Sequence, residues 1–133
     1  MGNNKPLVQA ACICETVVFD KDEAPSIIRI VDIFTIEALG NIPAGVPFGF
    51  PVIAFVRVKF QDNAPEGVLS IQPKRPDGSI GTRQHMPVPA GNHENVQFKT
   101  AFHVMNPQEG KYTFEVYWND ELLTTIPLKV VFK

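Results

Sequence analysis

The C-terminal stretch of the chain places the strongest constraint on its fold, because its side chains alternate with a period of two. The alternating positions are Tyr112, Phe114, Val116 and Trp118, followed after a break by Leu122, Thr124, Ile126, Leu128, Val130 and Phe132. A period of two is that of a strand with one buried face. At the break, Asn119-Asp120 tolerates the left-handed backbone of a tight turn. The stretch therefore predicts a long antiparallel hairpin.

Composition narrows the fold class further. The chain has 133 residues, of which 44% are hydrophobic and 20% are charged, and these values are typical of one globular domain, here residues 1–133. Its 12 prolines would interrupt long helices repeatedly. Composition thus favours a single all-β domain over a helical bundle.

Six more segments carry strand patterns, separated by turn signals at short spacing. They span residues 8–20, 26–39, 52–62, 67–73, 79–88 and 96–104. No helical pattern alternates with them, as a parallel sheet with crossover helices would require. The succession predicts an antiparallel β-sandwich of about seven or eight strands.

The segments 8–20 and 26–39 are apolar on both faces, although a two-layer sandwich covers only one face of each sheet. The loop that follows them is rich in glycine and proline and unusually apolar. It is predicted either to fold back as a lid or to form an interaction surface, which could hold a homodimer. The residues of this candidate interaction surface are Ile42, Val46, Phe48 and Phe50.

Each of these two apolar segments also contains one acidic residue, Glu15 and Asp32 respectively. A charge in an apolar strand needs a partner or an exposed edge position. We expect the two acidic side chains to pair with Arg29, Arg57 or Lys59, or to face solvent at a sheet edge.

The only cysteines, Cys12 and Cys14, are two residues apart. On a strand their Cα atoms lie about 7 Å apart, at the limit of a relaxed disulfide. They are predicted to be buried free thiols, so no bridge between sheets is expected.

Candidates for catalysis are few. His85, His93 and His103 show none of the spacings that hold two metal ligands together, and no serine occupies a nucleophile elbow. We therefore predict a non-catalytic protein without a cofactor or metal. The alternative is a small-ligand or metal-dependent enzyme whose site is assembled from His85, His93 and Glu94.

Charge and targeting signals limit the partners. The formal net charge is −2, and the basic residues near Pro76-Asp-Gly78 fit a solvated hairpin tip, so no nucleic acid partner is expected. There is no apolar run of membrane-spanning length and no secretory leader pattern. The sequence thus favours a cytoplasmic protein that is not anchored to a membrane.

Several motifs resemble a bacterial family of small proteins of uncharacterised function. They are Ala11-Cys-Ile-Cys-Glu15, the run from Ser26 to Phe34 that ends in Asp-Ile-Phe, and Gly110-x-Tyr-x-Phe with its Asn-Asp turn. The resemblance implies an immunoglobulin-like β-sandwich and brings no catalytic residues. Tyr112 also resembles the tyrosine-corner position of such sandwiches. Together these observations lead to the hypothesis of an interaction or assembly module that binds a protein partner or itself.

The missing ligand spacing yields a first prediction. Elemental analysis of protein purified without a histidine tag should find zinc, iron and copper well below one equivalent. One equivalent retained through dialysis against a chelator would contradict this and would indicate the histidines, with Cys12 and Cys14, as ligands.

Overall fold

The computed structural model describes residues 5–37, 48–91 and 94–133. These residues form nine β-strands and no helix, which confirms the all-β class and adds one strand to the larger predicted number. The strands are β1 (Leu7–Phe19), β2 (Pro25–Ile30), β3 (Ile33–Ile36), β4 (Gly49–Lys59), β5 (Gly67–Lys74), β6 (Gln84–Val88), β7 (Asn95–Met105), β8 (Gly110–Trp118) and β9 (Glu121–Phe132).

The strands form two sheets packed as an immunoglobulin-like sandwich. One sheet has the order β2-β1-β4-β7 and the other β3-β9-β8-β5-β6. All neighbouring strands are antiparallel except β3 and β9, which run parallel. Among the described strands, this parallel edge pair is the one departure from the antiparallel arrangement that the sequence predicted.

The additional strand arises because the segment 26–39, predicted as one strand, passes from one sheet to the other. β2 pairs with β1, whereas β3 pairs with β9. At the crossing, the Val31 N–H donates to the Ile13 carbonyl at 2.7 Å, and the Lys129 N–H donates to the Asp32 carbonyl at 2.9 Å. Both faces of this segment are apolar in the sequence because its two halves belong to different sheets.

The predicted C-terminal hairpin is confirmed. Tyr112 lies opposite Leu128 and Phe114 opposite Ile126, while Asn119 and Asp120 take φ values of 56° and 100° in the turn. The alternating side chains of β8 are buried between the sheets, where they contact apolar side chains of the other strands.

Tyr112 forms the tyrosine corner that the sequence suggested. Its ring is buried in the core, and its hydroxyl accepts a hydrogen bond of 2.8 Å from the backbone N–H of Gln108. The bond ties the turn before β8 to the sandwich interior, as the corner does in related folds.

A second apolar cluster lies on the outer face of the four-stranded sheet. It contains Cys12, Cys14, Val17 and Phe55, and Phe55 is completely buried although it points away from the main core. Both cysteines are free thiols, as predicted. Something other than the second sheet must therefore cover this face.

The cover is the hairpin made by the end of β1 and the start of β2. The ring of Phe19 packs edge-on against Phe55 at 6.1 Å between centroids. From the sheet below, Lys99 Nζ donates to the Val17 carbonyl and Gln97 Nε2 to the Glu23 carbonyl, both at 3.1 Å. The chain thus closes this outer face with its own N-terminal hairpin, a role that the sequence did not predict.

The hairpin can fold back because β1 changes phase near its middle. Cys12 and Cys14 belong to the outer cluster together with Val17, which strict alternation would place on the opposite face. Arg29 has a φ of 52° at this level of β2 and forms an exposed ion pair with Glu15 at 3.6 Å. Left-handed backbone at a non-glycine residue bends and twists the strand pair. Of the three basic residues expected as partners of Glu15, Arg29 forms the ion pair.

Loss of the tyrosine corner should destabilise the fold. Tyr112→Phe leaves the Gln108 N–H without its buried acceptor, so the free energy of unfolding should fall by about 1–3 kcal/mol in denaturant titrations. Tyr117→Phe is the matched control, because its hydroxyl bonds Glu115 on the outer face of the same strand, and it should cost less. Equal losses would contradict the role of the corner.

The buried thiols predict a loss of stability at high pH. Burial raises the pKa of Cys12 from 9.0 to about 11, and the charge and hydrogen bond of Cys14 add to the shift. Burial also raises the pKa of Cys14, while its bond with Cys12 and the charge of Lys99 oppose the rise. Because the fold favours the neutral thiol, this contribution is complete below the unfolded pKa of about 9 and is lost as the pH rises towards 11.

Denaturant titrations between these pH values check the expectation. The free energy of unfolding should fall more steeply with pH for the wild type than for Cys12→Ala, whatever the absolute stability of the variant. Parallel pH profiles would show that Cys12 ionises equally easily in both states.

Candidate functional site

Of the four residues predicted as an interaction surface, the two that the structure describes pack against the main core. Phe50 is only 6% exposed, and its ring stacks on Phe34 with 3.8 Å between centroids and 4° between planes. Phe48 is half-buried and packs against the same core. Ile42 and Val46 lie outside the described residues. Phe50 is therefore a core residue rather than a contact for a partner.

The two described residues of the alternative enzymatic site contact different partners. His85 lies on β6, at the edge of the five-stranded sheet, opposite Ser70. Glu94 precedes β7 of the other sheet, where its carbonyl accepts a hydrogen bond of 2.7 Å from the Phe60 N–H. His93 lies outside the described residues. Among the described residues, no three His, Cys, Asp or Glu side chains are arranged to hold a metal ion.

His85 instead pairs with Ser70, a contact that no motif in the sequence indicates. The Ser70 hydroxyl and His85 Nδ1 are 3.0 Å apart, in a shallow cleft of about 290 Å³ whose rim includes Asn119 and Asp120. A hydroxyl that donates to Nδ1 keeps the imidazole proton on Nε2 and orients the ring. Ser70 is only 4% exposed, so its hydroxyl is poorly placed to attack a substrate. Only the β5–β6 register reveals this pair.

Arg83 lies on the same outer face, where it covers an aromatic ring. Its guanidinium sits 4.1 Å above the centroid of Tyr117 and contacts Asp120 Oδ1 at 3.1 Å. Arg83 is one of the basic residues near Pro76-Asp-Gly78, with Lys74 and Arg75, for which the sequence predicts a solvated hairpin tip. Because its guanidinium occupies the face of Tyr117, this ring is not free to stack on a ligand.

A larger cleft opens at one side of the sandwich, between β7 and the segment that precedes β6. Its volume is about 480 Å³, and its lining includes the buried rings of Phe102, Tyr112 and Phe114. Arg75 stands at its rim, where Nη2 donates to the carbonyls of Met105 and Asn106. The cleft thus exposes part of the core beneath two sheet edges.

A series of exposed aliphatic side chains follows β2 from its hairpin with β1 to the crossing into β3. We call it the crossing surface and define it by four half-exposed aliphatic side chains. Their exposed fractions are 55% for Val18, 44% for Ile28, 58% for Ile30 and 58% for Ile33. Neighbouring Val31 and Phe34 pack inward against the main core, so the backbone beneath this surface is held in place.

Comparison with known proteins gives limited information. No protein-family description and no curated protein matches the chain. Among solved structures, the chain is similar to an immunoglobulin-like protein from Pseudomonas aeruginosa, with a TM-score of 0.47 and 14% sequence identity. The match covers 97% of this chain and 99% of that one. Within the described residues, no helix is long and apolar enough to cross a bilayer.

Proposed function

We propose that the protein is a non-catalytic interaction module that binds a protein partner through the crossing surface. The observation that carries the proposal is the substantial exposure of four aliphatic side chains at the end of β1, on β2 and at the start of β3, namely Val18, Ile28, Ile30 and Ile33. Scattered apolar side chains are ordinary on a protein surface, whereas a contiguous group commonly marks a contact with another chain.

Burial of the crossing surface would contribute free energy to such a contact. Complete burial of one aliphatic side chain contributes roughly 1.5–3 kcal/mol. These side chains are already partly buried, so each would contribute a fraction of that amount. The four side chains are three isoleucines and a valine, whose rotamers are already restricted by β-branching. Together they would offset part of the entropy cost of association.

The geometry of β2 favours a contact through side chains rather than strand addition. Pro25 begins the strand and has no N–H to donate, and Arg29 has left-handed backbone. Both features are known defences of a sheet edge. A partner would therefore rest on the aliphatic surface, with the exposed Glu15–Arg29 ion pair at its border to orient it.

We infer a cytoplasmic location and membership of the small bacterial family that the motifs resemble. The two free thiols support a reducing compartment, where cysteines remain unpaired. The enzymatic alternative stays a prediction of the sequence, and the contacts of His85 with Ser70 and of the Glu94 carbonyl with Phe60 lend it no support.

A charge placed on the crossing surface should abolish partner binding without affecting the fold. Ile28→Glu is the test and Leu122→Glu the matched control, because both side chains are 44% exposed and Leu122 lies on β9 of the other sheet. Affinity capture from the native cell with quantitative mass spectrometry should show a protein retained by the wild type and the control but lost with Ile28→Glu.

Reconstitution with that purified protein should then show at least tenfold weaker binding for Ile28→Glu than for Leu122→Glu. Identical capture profiles for all three proteins, with unchanged thermal stability, would contradict the proposed surface.

A further inference from the structure

The four edge strands of the sandwich differ sharply in their protection against pairing with another chain. β2, β3 and β6 have only 6, 4 and 5 residues, and β2 and β6 contain Pro25 and Pro87. β7 has 11 residues, contains no proline and pairs with β4 in unbroken register along its whole length. Short strands, prolines and bulges are what proteins use to prevent edge pairing. Among the described strands, β7 is the one edge that lacks all three.

The backbone of β7 is oriented to accept another strand. On the β4 side, the Phe60 N–H donates to Glu94 O and the Asn106 N–H donates to Phe48 O, each at 2.7 Å. Hydrogen-bonded positions alternate along an antiparallel strand, so even-numbered residues of β7 bond to β4. The odd-numbered residues therefore direct their N–H and C=O groups towards the open edge. The contact between Arg75 and the Met105 carbonyl agrees with this assignment.

The inward side chains of β7 form a palindrome. Read in either direction, they are valine, phenylalanine, threonine, phenylalanine and valine, with Thr100 at the centre. A symmetric dimer requires a surface that is complementary to itself. The residues in question are Val96, Phe98, Thr100, Phe102 and Val104.

We propose that β7 pairs antiparallel with β7 of a second copy about a two-fold axis at Thr100, which joins two four-stranded sheets into one of eight strands. In this register Phe98 faces the partner's Phe102, and Val96 faces the partner's Val104. These are non-hydrogen-bonded pairs, in which side chains approach most closely and aromatic contacts contribute most. The second copy would cover the core side chains exposed in the 480 Å³ cleft.

Charge disfavours one of the two neighbouring registers. The N–H and C=O groups that face the open edge belong to the odd-numbered residues of β7. A second copy can therefore pair only in registers that place odd-numbered residues opposite odd-numbered residues, and in each of these the two-fold axis passes through one residue. An axis at Lys99, the single charged residue of β7, would place two ammonium groups opposite each other, which is unfavourable. With the axis at Thr100, Lys99 faces the partner's Ala101, and Gln97 faces the partner's His103.

Opposite charges at position 101 test the pairing. Ala101 is exposed, and Ala101→Lys would face Lys99 of the second copy at two equivalent places, whereas Ala101→Glu would form two ion pairs there. Sedimentation over a concentration series reaching hundreds of micromolar should show the wild type approach twice the chain mass of 14.8 kDa. We expect dimerisation to weaken roughly tenfold in Ala101→Lys and to strengthen in Ala101→Glu.

Cysteine crosslinking tests the position of the axis. In Thr100→Cys the two new cysteines would face each other with Cα atoms about 4.5 Å apart, within disulfide range. In Asn95→Cys, the matched control, they would be about 30 Å apart. Mild oxidation should crosslink the first variant and leave the second uncrosslinked.

Three results would overturn the proposal: a wild type that stays monomeric over the whole series, equal dimerisation of the two charge variants, or equal crosslinking of the two cysteine variants. Circular dichroism on each variant separates these results from misfolding. The proposal involves β7 alone, at the end of the sheet opposite β2, so its failure would leave the crossing surface unaffected.

Discussion

The burial of Phe55 on the outer face of the four-stranded sheet is the contact on which the rest of the structure depends. β4 is apolar on both faces: Ala54, Val56 and Val58 contact the main core, while Phe55 belongs to the outer cluster. A second sheet can cover only one of these faces. The N-terminal hairpin covers the other, and this requires β1 to leave β4, change phase and fold back.

The folded hairpin also determines which surfaces remain for partners. Because β2 is used to cover Phe55, the chain that follows must cross to the other sheet at Val31, and this crossing leaves Ile28 and Ile33 exposed. At the far end of the same sheet, β7 keeps an open edge. One constraint thus yields two candidate contacts of different physical character, one through aliphatic side chains and one through backbone hydrogen bonds.

Prediction from the sequence succeeded where a pattern is local and failed where a contact is distant. The β8–β9 hairpin and the free thiols followed from neighbouring residues and standard geometry, and the corner at Tyr112 followed from a resemblance to sandwich folds. The role of the hairpin as a cover did not, because the contact between Phe19 and Phe55 joins residues far apart in the chain. The Ser70–His85 pair was missed for the same reason, since it depends on the register of two strands.

The sequence by itself determined the class of fold, because alternation with a period of two, frequent prolines and turn residues admit few solutions other than a β-sandwich. It also showed that too much apolar surface was present for two simple layers. Only the tertiary structure decided which segment covers that surface: it buried Phe50 and left Ile28 exposed, although both are apolar in the sequence. The physical reason is that hydrophobic burial has no direction, so its location depends on how the whole chain packs.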